Sequence, residues 1–360
     1  INMDKHISII GTAGIPANYG GLETCAEQLV THQSEKIIYT VYCSSNSYTN
    51  QLSHFKNSNL RYVPINANGW QSIIYDYITI MMAVYRGDTL LIMGVSGCSL
   101  LPFIKLLFKN KVIVNIDGLE WKRDKWNRLA KFILKTSEYF AVKYADCIVS
   151  DNKHIQNYVT ENYSRESALI EYGGDNSLVI SSIDNENFKE LVPFDEYSVF
   201  TCRIEPENNI HLILEAFSKN KGTNLVGIGN WKNSDYGKNL LTRYSENDNI
   251  ILLDYISDQD LLNAIKQNSY LYIHGHSAGG TNPSLVEAMF LGLPIIAYDV
   301  PYNRETTENR ALYFSSDTEL QKLLAHLNRD SIQIISDAMK GIAEKRYRWE
   351  IIVSKYEALY

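Results

Sequence analysis

The chain has 360 residues, 45% of them hydrophobic and 21% charged, with only 8 prolines. That is too long for one ordinary core and too apolar for disorder, so two domains are predicted. Its 41 acidic against 34 basic residues leave a net charge of -7, which excludes a whole-chain nucleic-acid binder but still allows a local basic patch. The five cysteines, Cys25, Cys43, Cys98, Cys147 and Cys202, are widely spaced and form no C-x-x-C pair. They read as reduced structural thiols, not as a zinc site or a disulfide framework.

The chain runs almost at once into an apolar strand, with no leader pattern, so a cytoplasmic protein is expected. Leu90 to Phe108 approaches the length of a membrane span, but Gly94, Gly97, Pro102 and Lys105 break it into a strand and a buried helix. Short runs rich in Ile, Val and Tyr alternate with helical patterns, the signature of parallel strands joined by helices. Strands are predicted at Ile7 to Ile10, Ile37 to Cys43, Leu60 to Ile65, Leu90 to Met93, Val112 to Ile116, Cys147 to Ser150 and Ala168 to Tyr172. From Asp175 to about Phe194 the pattern dissolves into polar residues, read as a connection. A second series follows at Ser198 to Cys202, Asn224 to Ile228, Ile250 to Leu253, Tyr270 to Ile273, Pro294 to Ala297 and Ala311 to Phe314.

Two doubly wound α/β domains are therefore expected: 1–180, then 195–345. Such sheets bind ligands at the carboxyl ends of their strands, and with two sheets the cleft between them is the expected site. After the first strand, Gly11, Gly14, Gly20 and Gly21 precede an amphipathic helix. They either make a tight turn or let a phosphate approach at Gly20 and Gly21. The spacing fits neither G-x-G-x-x-G nor G-x-x-x-x-G-K-[ST], which argues against dinucleotide and P-loop binding. After the strand at Tyr270, Gly279 and Gly280 precede Thr281 and Asn282, good N-caps, and Pro283, a good first helical residue. That helix start offers N–H groups and a positive dipole end, suited to a diphosphate. Glu287 lies farther along the same apolar helix, where a carboxylate needs a partner: either a local bridge or ligand hydroxyls.

The segments SLVEAMFLGLPIIAYD and CRIEPENNIHLILEAF, with the glycine pair before the first helix, resemble the retaining glycosyltransferases of family four. Their fold is GT-B, two facing Rossmann-like domains. GTAGIPANYGGLET, NIDGLEWKRDKW, CRIEPENN and HGHSAGGTNPSLVEAM are similar to the bacterial rhamnosyltransferase branch, and the closing stretch 346–360 is similar to the helix that returns to the N-terminal domain. The resemblance implies that Arg203 and the amides of Gly280, Thr281 and Asn282 hold the donor diphosphate, with Glu287 on the nucleotide ribose. Asn208 stands where the family has a lysine, and Gly279 where it often has a first glutamate. Gly227, Gly229 and Asn230 follow another strand and are placed to approach the base.

Asp117 and Glu120 follow the strand at Val112 and are expected on the acceptor side. Asp117 is either a turn residue before Gly118 or a carboxylate that orients or deprotonates an acceptor hydroxyl. Retention without an evident nucleophile implies same-face attack, the departing diphosphate taking the acceptor proton. Asp258-Gln259-Asp260 mimics a metal-binding D-x-D but reads as a helix N-cap, so no metal and no cofactor are expected. The predicted donor is dTDP-L-rhamnose and the predicted acceptor a polyprenyl-diphosphate-linked surface glycan, for an O-antigen, capsule or cell-wall polysaccharide. A non-catalytic sugar-nucleotide-binding partner and a nucleotide-sugar epimerase are the alternatives. Between Lys105 and Lys143 stand ten basic residues against four acids, with Leu129, Phe132, Ile133 and Phe140 at helical spacing. This is either a solvated helix face or an attachment site for the inner, anionic face of the cytoplasmic membrane.

Overall fold

The computed structural model describes residues 4–18, 20–122, 126–178 and 185–360. Arg123, Asp124 and Lys125 of the basic tally lie outside the described residues, as do residues 179–184 of the expected connection. The chain divides into two compact units: residues 1–172 with 349–360, and residues 173–348.

In the first unit the elements run β1 (Lys5–Ile10), α1 (Gly21–Thr31), β2 (Ile37–Ser44), β3 (His54–Phe55), β4 (Ser58–Val63), α2 (Gln71–Arg86) and β5 (Thr89–Met93). They continue with α3 (Leu101–Leu107), β6 (Val112–Asn115), α4 (Arg128–Tyr144), β7 (Cys147–Ser150), α5 (Lys153–Tyr163) and β8 (Ala168–Leu169). The sheet order is β3-β4-β2-β1-β5-β6-β7-β8. Every pairing is parallel except β3 with β4. Ile9, Leu91, Val114 and Val149 are fully buried, as strands covered on both faces require. β3 was absent from the predicted elements, β4 overlaps the strand expected at Leu60 to Ile65, and β8 ends three residues before the expected Tyr172.

The second unit opens with α6 (Asn185–Leu191), a helix inside the stretch read as a connection. Then come β9 (Ser198–Thr201), α7 (Ile210–Lys219), β10 (Leu225–Ile228), α8 (Asp235–Tyr244), β11 (Ile250–Leu253), α9 (Gln259–Gln267) and β12 (Leu271–His274). The series closes with α10 (Pro283–Phe290), β13 (Ile295–Tyr298), α11 (Pro301–Thr306), β14 (Leu312–Phe314), α12 (Asp317–His326) and α13 (Arg329–Arg346). Its order, β11-β10-β9-β12-β13-β14, is parallel throughout. Phe217, Trp231, Ile273 and Ile296 fill its core. Asp258 caps α9, its carboxylate accepting from the N–H groups of Asp260 and Leu261.

The last helix, α14 (Trp349–Glu357), belongs to the first unit and packs against α1. Tyr356 accepts from Asn115 Nδ2 at 2.7 Å, Tyr360 meets the Tyr39 hydroxyl at 3.0 Å, and Lys355 pairs with Glu171 at 2.6 Å.

Candidate functional site

In each sheet the strand order reverses once, between β1 and β5 in the first and between β9 and β12 in the second. Loops leaving the carboxyl ends of strands on either side of such a reversal diverge and leave a crevice, where doubly wound sheets bind ligands. In the second unit those loops carry Arg203 and the stretch from Gly275 to Asn282.

The two loops are stitched together. Asn209 Nδ2 donates to the Gly275 carbonyl at 2.9 Å, and the Ser277 amide and hydroxyl both donate to the Glu207 carbonyl, at 2.9 and 2.7 Å. A third loop joins them, because Asn230 Oδ1 accepts from the Ile204 amide at 3.0 Å. Asn208 is only 4% exposed, and its Nδ2 donates to the Arg203 carbonyl at 2.7 Å. Its side chain therefore serves as a staple that shapes the Arg203 loop. Arg203 itself is half-buried just past the end of β9.

The glycines of this region divide by cause. A Cβ on Gly229 would stand 2.4 Å from the Cys202 carbonyl oxygen, and one on Gly227 would stand 2.5 Å from the Phe200 ring. Close packing of neighbouring strands and loops accounts for both, without a nucleotide base. Gly279, in contrast, has φ near 120° and would meet nothing within 4 Å, so backbone conformation alone calls for glycine there.

At the start of α10, Asn282 is the N-cap, as predicted. Its Oδ1 accepts from the Ser284 amide at 3.1 Å, and its carbonyl accepts from the Leu285 and Val286 amides. Those three amides are therefore already engaged, and any anion would address the backbone from Gly279 to Asn282 instead of the first turn. Thr281 is 2% exposed.

Glu287 pairs with Lys266 on α9, Oε2 to Nζ at 2.7 Å, with side-chain exposures of 18% and 1%. Sequence reading foresaw a partner for Glu287 but not which one. Residues 173–178, placed within or beside the expected connection, pack on α10: a Cβ on Gly174 would come within 2.9 Å of the Glu287 nitrogen, and the Ser177 hydroxyl donates to the Glu287 carbonyl at 3.3 Å.

In the first unit the glycine loop is latched onto its own helix. Glu23 Oε1 accepts from the Ala13 amide at 2.7 Å, and Glu27 Oε2 from the Ala17 amide at 2.5 Å. A Cβ on Gly20, whose φ is 120°, would collide with Glu23 Oε2 at 2.2 Å. The start of α1 at Gly21 thus faces a carboxylate of its own helix. A phosphate approaching Gly20 and Gly21 would meet that negative charge.

Asp117 holds φ at 54° in front of Gly118, the geometry of the turn reading, and its amide donates to Asn115 Oδ1 at 2.9 Å. Glu120 accepts from the Trp126 indole at 3.0 Å. Asp117 and Asp151, the latter past the end of β7 and 4% exposed, act electrostatically on Cys25. Burial, reinforced by these carboxylates, pushes that thiol up to about 12. Asp151 was not among the predicted site residues; its place after a strand was the available signal.

Among the described residues, no group of three or more His, Cys, Asp or Glu is arranged to hold a metal ion, and no helix is long and apolar enough to cross a membrane. His274, at the end of β12, is 1% exposed and stacks on His276 with ring centroids 4.4 Å apart. Neither of its ring nitrogens has a hydrogen-bond partner, and burial lowers it to about 3, keeping it neutral.

Two Rossmann-like units of this kind define the GT-B fold, and solved structures align along the whole chain. Sucrose-phosphate synthase from Thermosynechococcus elongatus matches with a TM-score of 0.79 at 14% identity, covering 99% of this chain and 98% of that one. HepE from Anabaena, solved in complex with UDP-glucose, matches with a TM-score of 0.74 at 15% identity, covering 99% of both. At such identities the likeness shows the fold alone. Residues 4–175 match a domain of unknown function, DUF1972, and residues 182–346 match glycosyl transferases group 1. An uncharacterized glycosyltransferase of Methanocaldococcus jannaschii is 23% identical over 95% of this chain and 94% of its own length. The chain has the GT-B fold, and residues 182–346, within its second unit, match the glycosyl transferases group 1 model.

Proposed function

We propose that the protein is a retaining transferase that moves L-rhamnose from dTDP-L-rhamnose onto a lipid-linked intermediate of a bacterial surface glycan. The observation that supports the donor assignment is the stitched pair of loops at the β9–β12 reversal, one carrying Arg203 and the other running on to the backbone from Gly279 to Asn282. A guanidinium and a run of amides suit a diphosphate that gains charge as it leaves. Asn208 and Gly279, which replace the charged residues of the wider family, leave Arg203 as the fixed cation and favour a donor whose sugar needs no carboxylate partner.

In the step itself the bond from the sugar C1 to the β-phosphate oxygen breaks. The acceptor oxygen bonds C1 on the same face, and its proton passes to the departing phosphate. Arg203 neutralises that phosphate. Asp117 is the candidate that orients the acceptor hydroxyl, and Glu287 the candidate for the ribose.

The test is transfer and donor hydrolysis with a panel of nucleotide sugars. The panel includes dTDP-L-rhamnose and UDP-glucose, the ligand named for HepE, and the anomeric configuration of the product is read by NMR. The expected result is turnover of dTDP-L-rhamnose with retention, falling about a hundredfold or more in Arg203→Ala. Turnover of none of them by folded protein, or an inverted product, overturns the proposal. Product formed without any acceptor would mark an epimerase instead.

A further inference from the structure

α2, α3 and α4 lead from β4, β5 and β6 to strands lying successively toward the β8 edge. Right-handed crossovers therefore place all three on one face of the first sheet. They touch in sequence: the Tyr77 hydroxyl on α2 meets the Ser99 hydroxyl ahead of α3 at 2.6 Å, Tyr85 packs its ring on Phe108, and α3 packs on α4.

The outer surface of these helices is apolar where it should be wet. Trp70, Ile74, Ile78, Met82 and Tyr85 are all exposed, at spacings of four and three, so one stripe runs the length of α2 on its solvent side. On α3, Leu106 is 80% and Leu107 70% exposed, with Phe103 beside them. Leu129 and Phe132 on α4 are 68% and 69% exposed.

The exposed charges contributed by these helices are of one sign. They carry Arg86, Lys105, Arg128, Lys131, Lys135 and Lys143, of which Arg86, Lys105 and Lys135 pair with Asp88, Asp146 and Glu138, and the helices' own two acids, Asp76 and Glu138, are 3% and 2% exposed. Among the described residues, therefore, the three helices expose cations and no carboxylate, in a chain of net -7.

We propose that this face docks on an anionic lipid bilayer surface, its leucines and aromatic rings entering the headgroup region and its cations meeting the lipid phosphates. Trp70 and Tyr85, at the two ends of the α2 stripe, are the residue types that favour that depth. A second copy of the chain is the weaker occupant, because a two-fold interface would set this cationic face against itself. The inference deepens the proposed transfer reaction, whose lipid-linked acceptor resides in a bilayer.

The test is co-sedimentation of the full chain with vesicles of phosphatidylcholine alone and of an equal mixture with phosphatidylglycerol. Binding is expected to the mixed vesicles and to weaken with salt. The triple change Leu106→Ser, Leu107→Ser and Phe132→Ser, at exposed positions, should lower the partition coefficient more than tenfold. Arg128→Glu, Lys131→Glu and Lys143→Glu together should remove the preference for anionic lipid, at about fivefold per cation. Equal sedimentation of variants and wild type, or no vesicle binding at all, overturns the proposal. So does a dimer that the apolar variant dissociates, in protein that ignores vesicles. Donor hydrolysis in the absence of lipid reads the transferase activity separately, so its failure leaves this result intact.

Discussion

Replacing Glu287 with leucine removes the carboxylate that neutralises Lys266, whose ammonium sits 2.7 Å away on a side chain only 1% exposed. Deleting one member of a buried ion pair costs about 3–5 kcal/mol, because the other charge stays behind without compensation. Glu287 retains 18% exposure, so the low end, about 3 kcal/mol, applies. For a unit of this size each kcal/mol lowers the melting temperature by about 2–4 °C, so a fall of roughly 6–12 °C is expected. Lys266→Met alone leaves a carboxylate that water still reaches, and should cost less. The double variant strands neither charge and should return to within about 1 kcal/mol of wild type. Thermal and urea unfolding of the three variants measure this, and donor turnover of the refolded-equivalent double variant then isolates the ligand role. If the double variant is stable yet turns over poorly, Glu287 also serves the nucleotide; if turnover recovers, pairing is its whole task. A Glu287→Leu protein that melts with wild type, or a double variant no more stable than that single one, refutes the reasoning.

Asn208→Lys restores the residue type of the wider family, but at a site 4% exposed it loses the bond to the Arg203 carbonyl and crowds an ammonium into the loop. Stability should fall by about 2 kcal/mol and donor turnover should drop; a rise in turnover would show that Asn208 is no staple. Gly229→Ala puts a methyl 2.4 Å from the Cys202 carbonyl oxygen and should cost roughly 1–3 kcal/mol in urea unfolding; an unchanged midpoint contradicts the close-packing account. His274 titrates near 6.5 when unfolded and near 3 when buried, so the unfolded chain takes up a proton that the folded one refuses as pH falls through that window. Its contribution is therefore present above about pH 6.5 and lost toward pH 3: between pH 7 and 5 wild type should lose about 2 kcal/mol more than His274→Leu. Equal losses in the two proteins would exclude this.

Most of the strand series was legible because parallel strands buried on both faces read as unbroken runs of Ile, Val and Leu. β3 was not, since the two residues His54 and Phe55 carry no period, nor was α6, whose Asn-Glu-Asn start resembles linker. Helix starts were legible wherever capping chemistry is local, as at Asn282 and Asp258. Pairings that depend on distant segments were hidden. The need of Glu287 for a partner followed from its apolar helix, whereas the identity of Lys266 required α9 and α10 to be side by side. The reason for a glycine was hidden on the same ground: at Gly229 the close approach of the Cys202 carbonyl depends on a loop from another strand.

The return of α14 to the first unit has a consequence for biogenesis. Tyr356 and Tyr360 complete the environment of Asn115 and Tyr39, yet the ribosome makes them only after the entire second unit. The first sheet must therefore emerge and wait with that flank uncovered while a complete domain is made and folds downstream. A nascent chain released before residue 349 would hold a finished second unit and an unfinished first one, so completion of the first unit depends on residues 349–360.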